Sequence, residues 1–95
     1  MMKYEKKKQS LLVELEGEFN LDAVRKISEV LGEQEELVID LSRSAFVDSN
    51  AIVFIHRLME KGTGIQLENP PEIFYEVIQI LGLHQKWDLN RLVKP

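Results

Sequence analysis

The sequence predicts an α/β domain of two layers: a mixed, mostly parallel sheet of four to five strands with helices on one face. Three observations carry this. Period-two apolar alternation recurs in three short segments, LLVELE, LVIDL and IQLE. Amphipathic stretches at helical spacing follow each of them, and strands that alternate with helices imply parallel pairing through helical crossovers. Finally, the alternate strand positions hold Glu14, Glu16, Asp40, Gln66 and Glu68, whereas a sheet buried on both faces would read as continuous apolar runs.

The elements follow in order. Residues 2 to 9, MKYEKKKQ, are too polar for a core strand but suit an edge strand running into the next one, with Lys6, Lys7 and Lys8 solvating it. In strand 11–16, Leu11, Val13 and Leu15 face one way and Glu14 and Glu16 the other, until Gly17 ends or bends it. After the turn residue Asn20, apolar Leu21, Val24, Ile27, Val30 and Leu31 recur at helical spacing up to Gly32. A charged connection leads to strand 37–41, and Phe46 and Val47 precede a break, FVDSNAI. The run from Ala51 to Lys61 is helical until Gly62 and Gly64 stop it. Strand 65–68 follows. Pro70 and Pro71 then open a last helix with Ile73, Phe74, Val77, Ile78 and Leu81 as its apolar stripe, closed by Gly82.

Composition narrows the function. A chain of 95 residues, 44% hydrophobic, suits one domain, 1–95, with no room for a separate catalytic unit. The absence of cysteine removes thiolate chemistry and gives no sign of an oxidising compartment, so a cytoplasmic protein is expected. Its apolar runs are far too short to span a bilayer, and nothing resembles a signal peptide, so no membrane insertion is expected. A net charge of -4 disfavours nucleic-acid binding.

The break at 46–52 is the candidate site. Ligands and partners of parallel sheets meet the carboxyl ends of strands and the amino ends of helices. Asp48 is a good N-cap, which puts Ser49 at or next to the first helical position, exposed where unpaired amides and the helix dipole favour an anion. A phosphate there would be tolerated by the fold while changing the charge that a partner meets. The same pair would also serve as a plain cap. Ile52, Val53, Phe54 and Ile55 are consecutive apolar residues, and a helix packed on one face cannot bury them all equally. One or two are expected to face solvent, so the docking surface is assigned to Asp48, Ser49, Asn50, Ile52 and Val53.

Other chemistries fail on spacing. Neither His56 nor His84 has companions at metal-ligand spacing. Ser49 lacks a nucleophile elbow, and His56 lies two turns further along the same helix. Asp40 lacks the paired acids and the lysine of a phospho-accepting receiver site. Gly62 and Gly64 follow a helix, where a phosphate loop would precede one. Trp87 and Tyr75 are expected to pack near the C-terminal end, since no basic groove accompanies them.

Several stretches together, GEFN at 17–20, LVIDLSRSAFVDSNA at 37–51, the Gly62–Gly64 stop before IQLENPPE, and ILGL at 80–83, resemble a STAS domain, from about Gln9 to Leu89. The resemblance implies a regulatory protein-binding module without cofactor or catalysis, similar to bacterial anti-sigma-factor antagonists. It implies that Ser49 stands where many antagonists are phosphorylated, and that the partners are an anti-sigma factor with serine kinase activity and a phosphatase. Asn50 and Ala51 depart from the second small hydroxyl residue and the glycine frequent in that motif. STAS proteins also act as fixed subunits on the ATPase of ABC-type lipid-transport complexes, and this is the alternative.

Overall fold

A computed structural model describes residues 2–94. Strands β1 (Met2–Lys6) and β2 (Ser10–Phe19) form a hairpin, and helix α1 (Leu21–Leu31) leads to β3 (Glu36–Val47). Helix α2 (Ser49–Glu60) connects to β4 (Gly64–Glu68), and α3 (Glu72–Ile80) with the short α4 (Leu89–Leu92) connects to β5 (Val93–Lys94). The sheet order is β1-β2-β3-β4-β5. Among the described residues the β1–β2 pair is antiparallel and the other three pairs are parallel.

This order explains the two layers. Each parallel strand is added on the same side of the previous one, so right-handed crossovers drop every helix onto one face. Beneath them Leu11, Val13, Leu15, Leu37, Ile39, Leu41 and Leu67 are buried, with Ile27, Ile55, Phe74 and Ile78 from the helices. Each such side chain contributes roughly 1.5–3 kcal/mol when removed from water. On the opposite face Glu14 is exposed and Glu16 and Glu68 are half-buried, away from the core as the alternation requires.

The strands run further than their alternation. β2 continues past Gly17 to Phe19 through irregularities between Glu14 and Glu16 and between Gly17 and Glu18. Gly17 has φ +96, so it bends the strand rather than ending it. At each irregularity β3 holds one residue more than β2, and these two extra residues reset which side chains point inward, which hid residues 42–47 from a period-two reading. Ser44 is buried there, and its hydroxyl lies 3.0 Å from the Gly17 carbonyl and 3.2 Å from that of Phe46, donating toward both. It ties the bulged ends of the two central strands together.

Several positions depart from the pattern expected of them. Leu21 and Leu81 belong to apolar stripes by spacing, yet both are exposed, because one opens α1 and the other follows the last residue of α3. The chain also has structure beyond Gly82: Trp87 and Leu92 join the core and Val93–Lys94 adds a fifth strand. Trp87 packs as expected, whereas Tyr75 is exposed, edge-on to Phe74 at 5.1 Å. No helix among the described residues is long and apolar enough to cross a membrane.

Candidate functional site

The carboxyl ends of β2 and β3 deliver the chain into α1 and α2, whose amino ends lie side by side. Each is capped by its own side chain. The Ala23 N–H donates to Asn20 Oδ1 (3.2 Å), and the Ala51 N–H donates to Asp48 Oδ1 (3.0 Å). The Asp48 N–H in turn donates to the Phe19 carbonyl at 3.1 Å, fastening the start of α2 to the end of β2. Residues of extended conformation with a short polar side chain do this well, and both caps have such angles, with φ -129 at Asn20 and φ -102 at Asp48.

This geometry makes Ser49 the first residue of α2, exposed, with Asn50 exposed beside it and Asp48 half-buried. One Asp48 oxygen serves the cap, so its first duty is structural. Val53, one turn along from Ser49 on the same helical face, is 38% exposed. Arg57 continues that face by another turn and is also exposed. No acidic side chain occupies the first turn of α2, so the helix amino end meets no carboxylate there apart from its cap.

Ile52 is a correction. Expected on the docking surface, it has an exposure of 0%, because Ala51, Ile52, Ile55 and Leu58 form the stripe that α2 presses on the sheet. Phe54 is half-buried, which leaves Val53 as the exposed apolar residue of the run.

Two neighbours escaped the reading of the sequence. Phe46, at the end of β3, is 42% exposed, and Leu21, at the start of α1, is 41% exposed, both at the same end of the sheet as Ser49. Phe46 could have been found, since adjacent strand residues point to opposite faces and Val47 takes the core side. Leu21 carries no such signal.

Around Ser49 the site presents a hydroxyl and apolar surface, with the neighbouring Asp48 carboxylate engaged in the cap. His56 Nε2 is 3.6 Å from Glu60 Oε1 on its own helix, and the His56 ring stacks on Trp87 with centroids 6.3 Å apart, so it is held away from Ser49. An exposed hydroxyl at a helix start lies where added negative charge is favoured, with exposed apolar side chains beside it.

Comparison with known proteins gives the family and the fold. The family model described as "Mlab, STAS domain" matches residues 2–94. No curated relative matches the chain. Among solved structures, an anti-sigma factor antagonist from Mycobacterium paratuberculosis is similar with a TM-score of 0.71 at 21% identity, covering 100% of this chain and 85% of that one. The Bacillus cell fate determinant SpoIIAA in its phosphorylated form gives 0.70 at 20% identity, over 99% of this chain and 89% of that one. The unphosphorylated form of the anti-sigma factor antagonist SpoIIAA gives 0.64 at 22%, over 84% and 83%. At such identities the structures share the fold, and the family model spans nearly the whole chain: this protein belongs to the STAS domain family.

Proposed function

We propose that the chain is a regulatory protein-binding module, an anti-sigma-factor antagonist that docks an anti-sigma kinase through the start of α2 and is released when Ser49 is phosphorylated. A phosphatase would restore the docking form. The observation that carries this is the exposure of Ser49 as the first residue of α2, with apolar Val53 one turn along the same face. A kinase can reach the hydroxyl without unfolding anything, and the helix amino end favours the added charge, so the fold should survive modification. Docking should not survive it. A dianion beside apolar contacts and Asp48 must be desolvated when the surfaces meet, and a penalty of several kcal/mol lowers affinity by more than about a hundredfold. The similarity in fold to antagonists of known structure, one of them in a phosphorylated form, supports this reading.

The second reading keeps the surface and omits the cycle: a fixed STAS subunit on the ATPase of an ABC-type lipid-transport complex. Asn50 and Ala51, which replace the usual small hydroxyl and glycine after the serine, favour it, as does the Mlab description of the matching family model. Calorimetric titration of the partner encoded beside the gene with wild type, Ser49→Asp and Ser49→Ala separates the two. Switching predicts that Ser49→Asp binds at least tenfold more weakly and that Ser49→Ala binds as wild type even after incubation with kinase and ATP. Equal affinities for all three folded proteins would favour the fixed subunit.

A further inference from the structure

All the helices pack on one side of the sheet, which leaves the other side of β2, β3 and β4 without a layer over it. Its side chains fall into two cross-strand rows. Leu12 and Val38 are directly paired, both half-buried, with Glu5 on one side and Gln66 on the other. Two residues further along the strands, Glu14, Asp40 and Glu68 are paired in succession. Lys3 and Lys94 end that row on the edge strands, and no ion pair among the described residues joins either to the three carboxylates. Between the rows lies a shallow depression of 390 Å³ whose lining includes Leu12 and Val38, the acidic Glu5, Glu14, Asp40 and Glu68, and one cation, Lys3.

Within this row Lys3 stands opposite Glu14 and Lys94 opposite Glu68, the Asp40 carboxylate accepts from the Ser42 N–H at 2.9 Å and that of Glu68 from Gln66 Nε2 at 3.1 Å, so like-charge repulsion is centred on Asp40 between its two acidic neighbours, and with Glu5 the face stays net acidic. We infer that the open sheet face is a second docking surface, whose occupant is a basic amphipathic helix of a partner protein, at a place separate from the Ser49 site. Charge complementarity selects that occupant. A second copy related by a twofold axis would set the same carboxylates against themselves, and an anionic lipid surface would be repelled. The spacing agrees: carboxylates on adjacent strands stand about 4.8 Å apart, close to the 5–6 Å between helical positions i and i+4 or i+3. Lysines or arginines at such positions would meet Glu14, Asp40 and Glu68 in turn. An apolar stripe beside them would cover Leu12 and Val38, whose half-buried side chains would add apolar contact that surface charge pairs alone do not supply.

The test uses the whole chain and a synthetic probe, an acetylated helical peptide with lysines at i, i+4 and i+7 beside a leucine stripe. A peptide of the same composition with scrambled order is the control. Amide chemical-shift mapping should confine the perturbations to Leu12, Glu14, Val38, Asp40, Gln66 and Glu68. Binding by the Glu14→Gln, Glu68→Gln double variant should be at least tenfold weaker, and that of Ser49→Asp unchanged. Those glutamates are not in the core, so the variant should fold, and its circular dichroism would verify this. Perturbations centred on α2, equal affinity for the scrambled peptide, or equal affinity for the double variant would each overturn the inference. Shifts at this face that grow with protein concentration in the absence of peptide would overturn it in favour of a second copy.

Discussion

Substitutions at adjacent residues of α2 test whether the helix faces are as described. Ile52 has 0% exposure and Val53 38%, so identical changes should have unequal costs. For Ile52→Ser, deleting the buried hydrocarbon costs about 2–5 kcal/mol by comparison with truncation to Ala. A hydroxyl stranded in the core adds about 1–3 kcal/mol. The sum approaches the whole stability of a small domain, about 5–15 kcal/mol, so Ile52→Ser should be largely unfolded or severely destabilised. The milder Ile52→Val should cost about 0.5–1.5 kcal/mol, which lowers the melting temperature by roughly 4–8 °C per kcal/mol. Val53 already keeps over a third of its surface in water, and Val and Ser have similar helix propensities, so Val53→Ser should cost about 1 kcal/mol or less. Urea denaturation followed by circular dichroism measures each. The binding result should be reversed: Val53→Ser weakens docking of the cognate partner, while folded Ile52→Val leaves it unchanged. A cost above about 2 kcal/mol for Val53→Ser, or none for Ile52→Val, would refute this assignment of the α2 faces.

The caps and the sheet yield further outcomes. Asp48→Ala removes the acceptor of the Ala51 N–H and should cost about 1 kcal/mol in urea denaturation, while Asp48→Asn, which can still accept, should cost less. Gly17→Ala meets no neighbour within 4 Å, so its penalty is that of φ +96 alone, about 1–2 kcal/mol, read as a fall in melting temperature. Ser44→Ala should cost about 1 kcal/mol and speed amide exchange around Gly17 and Phe46, whose carbonyls it serves. Glu14→Gln should leave the fold unchanged and alter stability by less than about 0.5 kcal/mol in urea denaturation, because relief of repulsion with Asp40 is offset by lost attraction to Lys3 opposite it on β1.

Local pattern made much of this protein legible before any coordinates. Alternation in 11–16, 37–41 and 65–68 specified both the strands and the side of the sheet that receives the helices, because the side-chain period of a strand admits only one inward set. The alternate order of strands and helices implied parallel pairing, and Asp48 marked the start of α2, since a cap acts through hydrogen bonds to residues two or three positions away. Tertiary structure decided what depends on distant partners. Leu21 and Ile27 look alike in a helical repeat, yet only the one beneath its neighbours is buried. Which of Ile52 and Val53 turns inward was open because four apolar residues in succession erase the periodicity that would orient a helix. The course of β2 and β3 beyond Gly17 depends on a bulge and on the Ser44 hydroxyl bridging two strands, contacts separated by 27 residues that no local period encodes. The acidic row on the open face is likewise a property of register: Glu14, Asp40 and Glu68 are remote in sequence and become neighbours only when three parallel strands align.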